Sequence, residues 1–297
     1  MQRRDFLTRP ALIAGSAVLA STGTATSKSM ADESTPPASE RRIRQSVMGW
    51  CFKDIPPIEL AKHCRRIGLE AIEGISSDHY EAVTKLGLKI SLVGSHGFAN
   101  GPLDPDNHAE VEKKLRDGID LAVRYGAPNV ITFTGMKKTG ISDEAARQNC
   151  LSCWKRVIPY AESQGVGIVL EHLNSVDDSH PMKGHPGYWG DDIHLCADLV
   201  KEIDSAQFRL LFDIYHVQIM NGDLIRNISR YREIVGHYHT AGNPGRGELN
   251  DTQEINYPAV IRSIRDTGYD GYVAQEFIPT SNDPISSLEQ AFTICDV

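Results

Sequence analysis

The sequence is poor in cysteine and has no excess of positive charge. Six cysteines are spread over 297 residues, which is too sparse for a fold held together by disulfides. Cys150 and Cys153 have the CxxC spacing, but they lie inside a helical pattern with no glycine-rich stretch and no second CxxC pair. We therefore interpret this pair as helix packing, with a redox or zinc motif as the alternative.

The formal net charge of -8 argues against nucleic acid or an anionic membrane as the main partner. About 40% of the residues are hydrophobic and 24% are charged. That is an ordinary globular composition, with enough apolar material for one large core or two smaller ones.

The first 30 residues differ in kind from the rest of the chain. Arg3 and Arg4 precede Phe6, and a weakly apolar segment rich in alanine and glycine follows at 10–20. This pattern is typical of a twin-arginine export signal, and its apolar part is too short to remain as a membrane anchor. We expect a periplasmic protein that is free of the membrane after signal removal. The alternative is an N-terminus with a chance arginine pair.

The signal is assigned to residues 1–31 and a polar, proline-containing linker to 32–44, which leaves 45–297 for one catalytic domain. In that domain, short apolar runs alternate with amphipathic stretches. The predicted strands are 46–52, 69–75, 88–94, 129–134, 165–171, 208–213, 235–239 and 271–276. The predicted helices are 58–67, 78–86, 107–125, 142–163, 193–203, 224–231, 257–267 and 284–294.

Strands that alternate with helices predict a parallel sheet. The strand runs are apolar at nearly every position, as expected when helices or core cover both faces. Eight such repeats over roughly 250 residues predict a (β/α)₈ TIM barrel. An open, doubly wound sheet is the alternative, but the glycine pattern of dinucleotide-binding folds is missing after the first strand.

Acids and imidazoles recur at the C-terminal ends of the predicted strands, where barrel active sites lie. They are Glu73, His96, Glu171, Asp213, His239 and Glu276. Buried ionised groups are costly unless they are paired or bind a metal. A salt-bridged core network would explain any one of them. Three carboxylates and one imidazole, taken together, favour a Mg²⁺ or Mn²⁺ site, with Zn²⁺ as a further option.

Several segments are similar to hydroxypyruvate isomerases. They are LEHLN at 170–174, HPGYW at 185–189, FDIYHVQIMNGDL at 212–224, GHYHTAGNPGRGE at 236–248 and EINY at 254–257. Those enzymes belong to the xylose-isomerase-like barrel superfamily, which also holds ketose 3-epimerases. The resemblance covers nearly all of 46–294.

The resemblance implies roles for particular residues. Glu171, Asp213, His239 and Glu276 match the metal quartet of the superfamily. Glu171 and Glu276 also match its paired catalytic carboxylates. His216 and Arg246 match its substrate-contacting positions, and His96 is a weaker candidate at the end of the third strand. The sequence departs from the pattern at His172, where proline is usual, and at His239, where hydroxypyruvate isomerases often carry glutamine.

The reaction expected is isomerisation of a small hydroxy-carbonyl compound through a metal-stabilised enediolate, best exemplified by hydroxypyruvate to tartronate semialdehyde. A ketose 3-epimerase or an inositol-type dehydratase on the same barrel is the alternative, and His239 favours it. A non-catalytic, exported sugar-binding barrel is a third reading, although a binder does not need two bases around one cation. The predicted partner is a small molecule rather than nucleic acid, and a homo-oligomer is left open.

Overall fold

The computed structural model describes residues 43–297, so the predicted signal and most of the predicted linker lie outside the described residues. Eight parallel strands alternate with helices around one sheet. The strands are β1 Arg44–Met48, β2 Ala71–Glu73, β3 Lys89–Ile90, β4 Asn129–Thr132, β5 Gly167–Glu171, β6 Phe208–Asp213, β7 Val235–Thr240 and β8 Tyr272–Gln275.

The sheet closes on itself. Its order is β3-β2-β1-β8-β7-β6-β5-β4, so the first strand pairs with the last. The two ends of this order meet at a parallel bridge between Val93 and Val130. There, Val93 N–H donates to Asn129 O at 2.9 Å and Ile131 N–H donates to Val93 O at 3.0 Å. The predicted TIM barrel is confirmed, because an open doubly wound sheet would leave β1 and β8 unpaired with each other.

The helices cover the outside of the sheet. They are α1 Pro57–Ile67, α2 Tyr80–Lys85, α3 His108–Tyr125, α4 Asp143–Gln164, α5 Ile193–Ile203, α6 Ile214–Met220, α7 Leu224–Tyr231, α8 Tyr257–Asp266 and α9 Pro284–Cys295. Within residues 43–297, no helix combines the length and the hydropathy that crossing a bilayer requires.

The main hydrophobic core lies between the sheet and the helices. Cys150 and Cys153 belong to it, both as free, buried thiols on α4, where burial raises the pKa of each thiol. A second, small cluster joins Leu92, Ile131, Val169 and Leu211. Val169 and Leu211 lie two residues before Glu171 and Asp213, so they point to the same face of their strands. The apolar side chains of this cluster therefore lie directly below the strand ends that carry the acids.

Candidate active site

Four strands end in the predicted polar residues. Glu171 and Asp213 are the last residues of β5 and β6, His239 is the penultimate residue of β7, and Glu276 directly follows β8. The strand register pairs Asp213 with His239. All four side chains are buried, and one ligand atom of each lies within 4.8 Å of the others. The barrel thus brings together residues that lie up to 105 positions apart in the chain, as the sequence predicts.

His239 occupies the centre of this cluster. Its Nδ1 lies 3.0 Å from Glu171 Oε1 and 2.8 Å from Glu276 Oε2. Its Nε2 faces the opposite way and lies 2.9 Å from Glu73 Oε1. Burial alone would lower the pKa of His239, but the charge of Glu276 and its bonds to the carboxylates raise the pKa well above its ordinary value.

The three carboxylates of the cluster differ in proton affinity. Burial raises the pKa of Glu171 above its ordinary value, and its bond to His239 offsets only part of that rise. Burial and the charge of Glu276 raise the pKa of Asp213 to about 8. Burial also acts to raise the pKa of Glu276, but the charges of Arg246 and His239 outweigh it and hold this pKa at about 2. Environments that separate the pKa values of neighbouring acids are a feature of acid–base sites.

Arg246 reaches the cluster from the loop after β7. Its Nη2 lies 2.8 Å from Glu276 Oε2 and 3.7 Å from Asp213 Oδ2. The guanidinium carbon lies 5.3 Å from the ring centroid of Trp50 and 5.7 Å from that of Tyr215. These aromatic faces and the carboxylates fix the buried guanidinium at the edge of the site.

His216 is fully buried in the first turn of α6. This helix starts at Asp213, whose side chain accepts hydrogen bonds from the backbone N–H groups of Tyr215 and His216. The same carboxylate therefore ends a strand, caps a helix and lies 3.6 Å from His216 Nε2. Burial and the positive charge of Arg246 lower the pKa of His216 well below its ordinary value, so the ring is neutral.

His96 is placed differently from the other predicted site residues. Its recorded hydrogen bonds go to Thr132 Oγ1 at 2.8 Å and to the carbonyl of Gly97 at 3.2 Å. Burial lowers the pKa of His96 to about 4. A series of ring contacts connects it with His216 and passes through Phe133, Phe98 and His185. The structure thus places His96 in the wall around the site and outside the four-residue cluster.

Glu73 has a larger part in the site than its sequence position indicates. Both His239 and His237 point a ring nitrogen at its carboxylate, at 2.9 and 3.0 Å. Ser46 and Ser91 donate hydroxyl hydrogen bonds to Glu73 Oε2, the oxygen nearest His237, at 3.2 and 2.6 Å. Burial opposes ionisation, but the two imidazoles lower the pKa of Glu73 far below its ordinary value. Asp177, in the loop after β5, accepts a hydrogen bond from Tyr215 Oη at 3.1 Å.

The donor set fits a divalent cation. Three carboxylates and one imidazole converge, and such oxygen-rich sets suit Mg²⁺ and Mn²⁺ while also accommodating Zn²⁺. Glu276 Oε2 is buried and makes no hydrogen bond of good geometry within the described residues, although two cationic groups lie near it. A carboxylate oxygen in this state has a free lone pair for a metal. The buried acids and His239 could therefore hold a metal ion.

A family model for the xylose isomerase-like TIM barrel matches residues 60–292. The chain belongs to this family.

Two named relatives are similar to this chain at 26% and 27% identity. The hydroxypyruvate isomerase of Escherichia coli (strain K12) is 26% identical over 172 residues, which cover 57% of this chain and 64% of the relative. The 2-oxo-tetronate isomerase of Cupriavidus necator is 27% identical over 179 residues, which cover 59% of this chain and 64% of the relative. The matched segments thus span just under two thirds of these relatives.

The fold is also shared with solved structures. The apo form of the 3-keto-D-glucoside 4-epimerase from E. coli superposes with a TM-score of 0.70 at 17% identity, covering 84% of this chain and 97% of the epimerase. At this level of identity, the likeness shows the common barrel alone.

Proposed function

We propose that this protein is a metal-assisted isomerase that moves a hydrogen between the two carbons of a small α-hydroxy-carbonyl compound. The observation that carries the proposal is the convergence of Glu171 and Glu276 on His239, at 3.0 and 2.8 Å from one ring nitrogen. Two carboxylates from different strands therefore lie at one site, where one can remove a proton from a carbon acid and the other can deliver a proton to the neighbouring carbon.

The two carboxylates differ in proton affinity, and we assign the base and acid roles in the forward direction accordingly. Glu276, with a pKa of about 2, is ionised and acts as the base that removes the carbon-bound proton. Glu171, with a raised pKa, holds a proton more readily and acts as the acid at the neighbouring carbon. Microscopic reversibility exchanges the two roles in the reverse direction. A divalent cation held by Glu171, Asp213, His239 and Glu276 would supply electrostatic stabilisation for the two oxygens of the enediolate.

The best candidate substrate is hydroxypyruvate, which becomes tartronate semialdehyde. Its carboxylate needs a cationic partner, and the Arg246 guanidinium is buried between Trp50 and Tyr215 at the edge of the cluster. His216 supports the substrate as a neutral hydrogen-bonding group, and His96 is kept as a weaker contact. The relatives named as isomerases of hydroxypyruvate and of 2-oxo-tetronate support this class of substrate.

A ketose 3-epimerase is the second candidate. It is favoured by His239, which the sequence resemblance matches to the metal-binding epimerases of the superfamily. Epimerisation requires the same two carboxylates, but one removes a proton from a carbon and the other delivers a proton to the opposite face of that same carbon.

Solvent exchange tests both candidates. The protein, loaded with Mg²⁺ or Mn²⁺, is incubated in D₂O with hydroxypyruvate and with a panel of ketoses, and the products are analysed by NMR. Deuterium at the aldehyde-adjacent carbon of tartronate semialdehyde supports the isomerase, and deuterium at C3 of a ketose supports the epimerase. If no substrate incorporates deuterium with either metal, the proposal is wrong and the alternative of a non-catalytic, sugar-binding barrel is favoured.

The carboxylate pair is tested by Glu171→Gln and Glu276→Gln. Each change removes a proton-transfer group but keeps the side-chain size, so we expect turnover to fall by at least ~100-fold. Glu59→Gln, at an exposed site on α1, is the matched control and should retain full turnover. Unchanged turnover in a correctly folded Glu276→Gln protein would contradict the assignment.

We further propose that residues 1–31 direct export by the twin-arginine route. Support comes from the sequence of this segment, which lies outside the described residues. In cells that express the full chain, replacement of Arg3 and Arg4 by lysine should shift the protein from the periplasmic to the cytoplasmic fraction. An unchanged distribution would contradict this proposal.

A further inference from the structure

Asn174, in the loop directly after β5, has an amide whose orientation is fixed by backbone groups. Its Oδ1 accepts a hydrogen bond from Asp177 N–H at 2.9 Å. Its Nδ2 donates to the carbonyl of Lys183 at 2.8 Å. A backbone N–H can only donate and a carbonyl can only accept, so the oxygen and nitrogen of this amide cannot be exchanged.

The fixed amide determines the tautomer of His216. Asn174 Nδ2 lies 2.7 Å from His216 Nδ1, and the backbone nitrogen of Asn174 lies 3.1 Å from the same atom. One hydrogen of the amide goes to Lys183 and the other faces the imidazole. Two N–H groups therefore point at Nδ1, which has to be the acceptor. The proton of the neutral ring is consequently on Nε2.

His216 Nε2 is left free to act on a ligand. It is buried and has no hydrogen-bond partner within residues 43–297, and it lies 3.6 Å from Asp213 Oδ2, on the side of the four-residue cluster. A buried N–H without a partner is costly, and a substrate oxygen would relieve that cost.

We propose that Asn174 is a positioning residue that holds His216 as an Nε2–H donor for a carbonyl or carboxylate oxygen of the substrate. The inference rests on the proposed function for the identity of the ligand, but the tautomer itself follows from the contacts of Asn174. The arrangement selects for an oxygen acceptor at this position and against an N–H or ammonium group, which would face another hydrogen.

The same amide anchors the loop that runs over the site. Asn174 holds Asp177 and Lys183 through its side chain, and its carbonyl accepts a hydrogen bond from His185 N–H at 2.8 Å. Met182, in the same loop, accepts a hydrogen bond from Arg246 Nη1 at 2.8 Å. Asn174 therefore contacts both this loop and His216 Nδ1, so the position of the loop and the tautomer of His216 depend on the same residue.

The first measurement is the ¹⁵N NMR spectrum of the histidines in the Mg²⁺-loaded protein, with His216 assigned by its absence in His216→Gln. We expect Nδ1 of His216 to be unprotonated and Nε2 to carry the proton. A proton on Nδ1 would overturn the inference. This spectrum needs no variant of Asn174, so it decides the tautomer even if such variants misfold.

The second measurement uses Asn174→Asp. This change keeps the oxygen that accepts from Asp177, but it replaces the donor beside His216 with an acceptor. We expect a proton to appear on His216 Nδ1. Asn227→Asp is the matched control. The buried amide of Asn227 lies on α7 and donates to the carbonyl of Gly222 at 3.0 Å. Its replacement should leave the His216 signals unchanged. An unaltered His216 pattern in Asn174→Asp would refute the positioning role.

Kinetics separates positioning from general loop damage. With the substrate identified by deuterium exchange, Asn174→Asp should lower kcat/KM by about 10-fold or more, which is the scale of one lost hydrogen bond to the substrate. In a His216→Gln background the same change should cost little further, because both act through one contact. Fully additive losses would contradict the inference.

The NMR result does not depend on turnover. If the proposed isomerase reaction is not observed, the NMR spectrum still tests the tautomer of His216.

Discussion

Three buried glutamates of the site differ in pKa because their hydrogen-bond and charge partners differ. Glu276 is held ionised by Arg246 and His239, whereas Glu171 has a raised pKa because its burial is less well compensated. Glu73 lies deeper and accepts hydrogen bonds from two serines and two histidines. It cannot reach a substrate through these groups, so its effect on the site passes through His239. A carboxylate behind a ligating imidazole orients the ring and increases its basicity.

We expect Glu73→Gln to weaken divalent metal binding by about 10- to 100-fold, which is the range for loss of such a partner. The amide lacks the negative charge and one acceptor, so His239 is held less firmly. Isothermal titration with Mn²⁺ measures the affinity directly. Glu248→Gln is the control, because that buried glutamate accepts hydrogen bonds from Thr280 and Ser281 outside the cluster. Equal affinities for Glu73→Gln and the unmodified protein would refute the role of Glu73.

At the scale of elements, the strands and most helices follow from apolar periodicity, and the errors have local causes. β6, α5 and α7 have the predicted bounds. The prediction misses α6, because IYHVQIM has no polar face and directly follows a strand. It extends the first strand to Phe52, where the chain turns into a 3-10 helix at Gly49–Phe52. β3 has only two residues, since Val93 pairs through an isolated bridge.

The convergence of four strand ends was predictable, because parallel strands in a barrel place their C-terminal ends together. Their roles as ligands and bases stay predictions. The contacts of Glu73 and Asn174 were not predictable from the sequence. Glu73 and His239 are 166 positions apart, and their contact depends on the width of the closed barrel. The orientation of the Asn174 amide depends on a loop with no periodic pattern.

Two loops at the mouth of the barrel approach each other closely at Gly101. A Cβ added there would lie 2.3 Å from backbone atoms of Thr134 and Gly135. We therefore expect Gly101→Ala to destabilise the fold by about 1–3 kcal/mol, because backbone atoms cannot yield as a flexible side chain can. Urea denaturation measures the change.

Gly97→Ala is the matched control for Gly101→Ala, because nothing lies within 4 Å of a Cβ at that position. It should change the free energy of unfolding by no more than about 0.5 kcal/mol. Equal effects of the two substitutions would show that the close approach at Gly101 does not determine the stability of these loops.

For the whole molecule, the barrel separates buried charge from buried apolar surface. The small apolar cluster fills the interior beside β3 to β6, whereas Glu73 and His237 make the interior polar beside β2 and β7. The carboxylate of Glu73 remains ionised inside, because the two imidazoles lower its pKa. Buried imidazoles that form no ion pair with a carboxylate within residues 43–297 behave differently, because burial disfavours their charged form. His96 and His185 both have a pKa lowered to about 4, for which burial is the main cause.

These imidazoles predict a loss of stability in mild acid. The pKa of His96 is about 4 in the fold, against an ordinary value of 6.5. Between these values the unfolded chain binds a proton that the folded protein does not bind, so stability falls as the pH decreases from 6.5 toward 4. One such histidine accounts for a loss of about 2 kcal/mol in the free energy of unfolding between pH 7 and pH 5.

His96→Asn should therefore reduce the drop in unfolding free energy over this interval by about that amount, whatever its effect at pH 7. Urea denaturation at both pH values measures the difference, with His180→Asn, which replaces a ring exposed to solvent, as the control. If the drop in His96→Asn equals that of the unmodified protein, burial of a neutral His96 does not contribute to acid sensitivity.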